Sequence, residues 1–269
     1  MQIISGQKEP VIKLLRELQT EEGRRRNGLF FAEEREIVRR AFDFGSKPRS
    51  FILTDKFAAS DEAQALLERA AYAHVETYVT TSGLLAKILD AKPTPECVVI
   101  IERKVVSLPD IFTGECPLIQ MVEHSENADN LGMLLRSTDA AGVTGVVLTA
   151  DTTDPFSRRV VRGSRGAVFT VPICTHQDSA KAIEEARNHN LQIIATSANS
   201  QMFYTQADFT KPTMIIVGNE HVGISETVRE LADATVRIPM LGKINSLNIA
   251  VAASVMLCEA VRQRQKPLS

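Results

Sequence analysis

The sequence predicts an α/β protein: a small α/β N-terminal domain followed by a C-terminal α/β domain built on a parallel sheet. Two observations carry this. Apolar β-type runs alternate with helical patterns along nearly the whole chain. Several of those runs, such as 146–148 and 214–217, are continuously apolar, as expected of parallel strands covered on both faces. A chain of 269 residues, 44% hydrophobic and 24% charged, is long enough to bury a sizeable core and suits one or two domains.

In the first third, the patterns predict a helix over 9–20, a strand over 29–32, a helix over 33–44 and a strand over 50–54. A helix over 61–73, a strand over 75–79, a helix over 81–89 and a strand over 97–102 follow. The stretch 105–117 holds Pro109, Gly114 and Pro117 and has no clear period, which makes 105–116 the best linker. Domains are therefore expected over 1–104 and 117–269. In the second, strands are expected at 118–122, 145–149, 167–172, 192–197, 213–217 and 234–238. Helices are expected at 127–141, 156–162, 179–188, 225–231 and 246–264.

The composition excludes several classes. A net charge of −2 rules out a strongly basic global field, so any nucleic-acid partner must be held by a local patch. The four cysteines, Cys97, Cys116, Cys174 and Cys258, show no C-x-x-C spacing and read as reduced thiols of a cytoplasmic protein; Cys258, in an apolar helix, reads as a packing residue. Charged residues from Lys8 to Glu17 break any signal-peptide core, and the apolar stretch 247–257 is too short to span a bilayer. Five scattered histidines, His124 and His221 among them, have no paired ligand spacing, so no metal is expected. No G-x-G-x-x-G follows a strand.

Open parallel sheets bind ligands at the carboxyl ends of their strands. Three stretches there stand out. Asn130 and Arg136 lie six residues apart on an early helix and share an edge of it. A buried strand ends in Gly218, Asn219 and Glu220, with Gly223 leading into a helix. Ile238, Pro239 and Met240 precede Ser246, Leu247 and Asn248, which open a helix of small and apolar residues suited to burial or to a subunit interface.

Taken together, N-x-x-x-x-x-R, G-N-E-x-x-G and I-P-M…S-L-N resemble, in that order, the SpoU/TrmH family of S-adenosylmethionine-dependent RNA ribose 2′-O-methyltransferases. That family lies in the SPOUT superfamily, and the resemblance spans about 117–264. The first hundred residues resemble the family's small substrate-binding domain more loosely: Arg26, Asn27 and 30–36 match an arginine turn and F-x-x-E-G, with Glu34 or Arg35 where the family has glycine. The resemblance implies a C-terminal trefoil knot, a homodimer, and S-adenosylmethionine held around Thr196, Gly218, Asn219, Glu220, Ile238, Met240, Ser246, Leu247 and Asn248. It makes Asn130, Arg136, Glu220, Ser246 and Asn248 the reacting surface.

A guanidinium is always charged, so Arg136 is expected to lower the pKa of a ribose hydroxyl or orient a phosphate rather than act as a base. RNA needs local cations, and Arg24, Arg25, Arg26, Arg136, Arg158, Arg162 and Arg165 are the expected set. The expected activity is methylation of ribosomal RNA. Transfer RNA is the alternative substrate, and a catalytically silent RNA-binding or assembly factor the alternative function.

Overall fold

Six parallel strands form the sheet that carries the candidate site, in a computed structural model that describes residues 1–175, 178–219, 221–243 and 246–265. The chain begins with β1 (Gln2–Ile3), α1 (Pro10–Glu17), α2 (Glu21–Asn27), β2 (Leu29–Glu33), α3 (Arg35–Asp43) and β3 (Pro48–Thr54). Then come α4 (Asp55–Ala58), α5 (Asp61–Tyr72), β4 (Glu76–Thr80), α6 (Ser82–Leu89) and β5 (Cys97–Glu102). After β6 (Leu118–Val122), α7 (Ala128–Ala140) and β7 (Gly145–Leu148), two short helices follow, α8 (Arg158–Ser164) and α9 (Ala167–Thr170). The remainder is β8 (Ile173–Thr175), α10 (Ser179–Asn188), β9 (Gln192–Thr196), β10 (Thr213–Val217), α11 (Glu226–Leu231), β11 (Ala234–Val236) and α12 (Ile249–Arg264).

The contacts divide the chain into two units. Met1–Arg103 together with Asp154–Thr170 form one, around a five-stranded mixed sheet ordered β1-β4-β3-β5-β2. Lys104–Thr153 with Val171–Ser269 form the other, around the parallel sheet ordered β11-β9-β10-β6-β7-β8. The α/β class and the parallel second sheet agree with the sequence pattern. The N-caps are side chains the sequence supplies: Ser60 on α5, Thr81 on α6 and Ser225 on α11 each accept a backbone N–H.

Four differences from the sequence reading have physical causes. Residues 154–170 pack with the first unit because Phe156 meets Phe30 at 4.9 Å between ring centroids, and Asp154 pairs with Arg24. The strand expected over 167–172 is instead α9, and pairing with β7 begins only where the Pro172 carbonyl accepts from Val146. Short apolar runs do not distinguish the two conformations, and proline suits the entry of an edge strand. Residues 105–116 are no free linker: Leu108 and Ile111 are buried in the core of the second unit. The last helix begins at Ile249, capped by Asn248 and not by Ser246.

Candidate functional site

At the carboxyl end of the parallel sheet, the loops after β9, β10 and β11 and the residues before α12 enclose a cavity of about 690 Å³. That is an ordinary size for a small-molecule site. Its most constrained wall is the turn after β10. A Cβ on Gly218 would lie 2.3 Å from the carbonyl carbon and oxygen of Gly223, so no other residue fits there. The Asn219 N–H donates to the Gly223 carbonyl at 3.1 Å, and the Gly223 N–H donates back at 2.8 Å. The Asn219 side-chain oxygen accepts from the backbone N–H groups of His221 and Val222. Gly223 sits at φ +74°, where glycine costs least. The G-N-x-x-x-G spacing is thus the recipe of one tight turn.

A buried carboxylate braces this turn from below. Glu123, at the end of the central strand β6, accepts from the Ser225 backbone N–H at 2.8 Å, from the Ser225 hydroxyl at 2.8 Å and from the Ser179 hydroxyl at 2.9 Å. Ser225 caps α11 directly after the turn. Sequence reasoning passed over Glu123, and its position at a strand end was the available signal.

Of the expected cofactor residues, Thr196, Gly218, Asn219 and Ile238 line the cavity, as do Met240, Ser246 and Leu247. The Thr196 hydroxyl donates to the Ile216 carbonyl, tying β9 to β10. Among the described residues lining it, Asn248 does not appear; Glu220 lies outside the described residues. Asn248 works beside the cavity: its oxygen accepts from the N–H groups of Ala250 and Val251, and its amide donates to Asn130 at 2.8 Å. Asn130 is buried on α7, so this bond locks α7 to the start of α12. A second tie, between the hydroxyls of Ser137 and Ser254 at 2.6 Å, lies further along the same helix pair. Arg136 is exposed on α7, with no ion pair or hydrogen bond to the described residues.

The expected RNA-binding arginines separate into two kinds. Arg24 is 4% exposed; its Nε donates to Asp154 at 2.6 Å and its Nη1 to the Leu18 and Gln19 carbonyls. Burial removes it from any phosphate-binding role. Arg158 is bound bidentately by Glu33 at 2.8 Å and donates to the Leu89 carbonyl. Arg165 pairs with Glu34. Arg25, Arg26 and Arg162 are exposed, the first two in solvent-facing pairs with Glu21 and Glu17. The thiols also differ from expectation in one case: Cys258 is exposed on α12, not packed. Burial pushes the Cys97 thiol up to about 12 and raises that of Cys174. Among the described residues no cluster of metal-ligating side chains occurs, and no helix is long and apolar enough to cross a membrane.

The model of the SpoU rRNA methylase family matches residues 117–258. The chain belongs to this family. Over 264 residues it is 30% identical to an uncharacterized tRNA/rRNA methyltransferase of Synechocystis sp., covering 97% of this chain and 94% of that one. A 23S rRNA (uridine(2479)-2′-O)-methyltransferase of Streptomyces viridochromogenes is 34% identical over 175 residues, 63% of this chain and 61% of the relative. The crystal structure of an AdoMet-bound rRNA methyltransferase from Sinorhizobium meliloti superposes with a TM-score of 0.88 at 27% identity, covering 98% of this chain and 99% of that one. The chain is thus a methyltransferase with the SpoU fold.

Proposed function

We propose that this methyltransferase transfers a methyl group from S-adenosylmethionine to a ribose 2′-hydroxyl of ribosomal RNA. The observation that carries the reading is the likeness to the Sinorhizobium rRNA methyltransferase, which extends over both units and not over the family domain alone. The cavity fits the cofactor's chemistry. Its walls offer backbone groups at Gly218 and Asn219 and apolar surface at Ile238 and Leu247, suited to an adenosine. When bound, the cofactor supplies a methyl already activated by its positively charged sulfur.

The protein's own task is positioning, which can supply roughly 7–11 kcal/mol of a barrier at best. Arg136 keeps its guanidinium free of partners among the described residues, so its charge is available to a ribose oxygen or an adjacent phosphate. Asn130 and Asn248 hold α7, and with it Arg136, against the segment that lines the cavity. Ser246 lines that cavity and can meet ribose or cofactor. Arg25, Arg26 and Arg162 are the exposed cations left to meet RNA. The chain works as a homodimer in the cytoplasm, joined through α7 and α12, which expose Met133 and Val251. The trefoil knot of the SpoU fold belongs to the same proposal, supported by the closeness of the segments before α12 to the turns after β9 and β10.

The test is methyl transfer from labelled S-adenosylmethionine to ribosomal RNA and transfer RNA, with ribose methylation mapped on each. Label in ribosomal RNA alone is expected. Label in transfer RNA alone would overturn the substrate, and cofactor binding with no transfer to any RNA would favour the assembly-factor reading. Arg136→Lys is expected to lose at least about a hundredfold in transfer while cofactor affinity holds, since the fork is lost and the charge kept.

A further inference from the structure

Two arginines that none of the family motifs contains, Arg229 and Arg237, also line the cavity. Arg237 follows β11. Its backbone N–H donates to the Met202 carbonyl at 2.9 Å, and its carbonyl accepts from Tyr204 at 3.0 Å, so residues 203 and 237 run side by side. This register lays the Arg237 guanidinium over the Phe203 ring, 4.6 Å from the centroid. The stacking fixes the plane of the group yet occupies none of its N–H donors. The Arg237 Nε is buried with no hydrogen-bond partner, and among the described residues no carboxylate pairs with this side chain.

Arg229, on α11, lines the same cavity. Its Nη1 reaches the Ser197 hydroxyl at 3.4 Å, and the Ser197 N–H donates to the carbonyl of Val236, the neighbour of Arg237. The buried Arg229 Nε lacks a well-directed acceptor; the carboxylate near it, Glu226 at 3.2 Å, is 74% exposed and screened by solvent. Two partly buried cations with unused donors in one cavity are costly alone and match an anion that arrives with two oxygens in a plane.

We infer that Arg237, held flat by Phe203 and assisted by Arg229, receives the carboxylate at the methionyl end of S-adenosylmethionine. The inference rests on the reading of the cavity as the cofactor site. It makes Arg237 a specificity-determining residue: it separates ligands that carry the amino-acid end from those that carry the adenosine alone.

Calorimetric titration tests this with two probes, S-adenosylhomocysteine and 5′-methylthioadenosine; the second has the same thioether-linked adenosine and no carboxylate. Arg237→Gln is expected to weaken S-adenosylhomocysteine at least tenfold, about 1.4 kcal/mol, and to leave 5′-methylthioadenosine unchanged. Arg237→Lys, which keeps the charge, should recover part of the loss, and Phe203→Leu should lose part of the affinity for the first probe alone. Unchanged affinity for S-adenosylhomocysteine in both Arg237→Gln and Arg229→Gln overturns the assignment. So does an equal fall for both probes, which marks a collapsed wall, or weakened RNA binding with both probes unaffected, which moves the pair to an RNA phosphate. A native protein that binds the two probes equally refutes the carboxylate contact and spares the cofactor site; one that binds neither refutes both.

Discussion

Asn248 is the residue whose removal the structure prices most directly. Replacing it with alanine deletes the cap of α12, whose two accepted N–H groups belong to Ala250 and Val251. A lost asparagine cap costs about 1 kcal/mol. The same change takes the Asn248 donor from the buried Asn130 oxygen, 2.8 Å away. Losing this hydrogen bond costs about 0.5–1.5 kcal/mol, so Asn248→Ala should lose about 1.5–2.5 kcal/mol in all. Asn248→Ser restores the cap and not the second bond, so it should recover roughly the first kcal/mol only. Urea denaturation followed by circular dichroism measures both, and amide exchange at Ala250 and Val251 reports the cap alone.

Because Ser246, Leu247 and Ile249 line the cavity, affinity for S-adenosylhomocysteine should fall in the same order as stability. Asn130→Ala combined with Asn248→Ala should cost less than the two apart, by at least about 0.5 kcal/mol, as bonded neighbours do. Strict additivity, or an Asn248→Ala that costs nothing, would refute the idea that one side chain both caps α12 and ties it to α7.

Gly218→Ala should abolish binding of cofactor analogues while the circular-dichroism spectrum stays native, because its Cβ has no room against Gly223 and the clash is confined to a turn at a strand end. Arg24→Met should cost about 3–5 kcal/mol by stranding Asp154 in the interior, whereas the double change with Asp154→Leu should restore most of it; equal losses would refute a buried pair. Alkylation of the native protein at neutral pH should spare Cys97, whose thiol burial holds near 12, and Cys174, and reach Cys258 unless α12 is covered by a second copy; mass spectrometry reads the sites. Charge reversal at Arg25 and Arg26 should weaken RNA binding and flatten its salt dependence with cofactor affinity intact; a parallel loss of both would point to misfolding.

The parallel strands were legible because their apolar runs are local, and so was the turn at Gly218, whose whole reason lies within six residues. Contacts across the chain were not. Asn130 and Asn248 are 118 positions apart, and neither carries a mark that it faces the other; the family resemblance brought them together where periodicity could not. The run Arg24, Arg25 and Arg26 looks uniform, yet a helix turns each about 100° from the last, and Arg24 points to a carboxylate 130 positions on. Arg237 was invisible for the opposite reason: a lone arginine after a strand has no pattern, and its meaning comes from Phe203 on the neighbouring track.

The arginines of this chain are best distinguished by whether the fold uses up their charge. Arg24 and Arg158 are consumed by Asp154 and Glu33, and their N–H groups are further taken by backbone carbonyls. Their substitution must register as lost stability. Arg136 and Arg237 meet no carboxylate among the described residues; Arg136 is exposed to solvent, and the buried Arg237 Nε is left without a hydrogen-bond partner at a cost. Substituting them removes nothing the fold depends on, so stability should hold while ligand affinity or transfer falls. Asn130, Asn248 and Gly218 form a third kind, in which the motif residue shapes the backbone around the site, and there stability and binding should fall together. A methyltransferase whose chemistry rests mainly on alignment needs all three kinds: an anchored frame, a shaped wall, and charges the frame has left unspent.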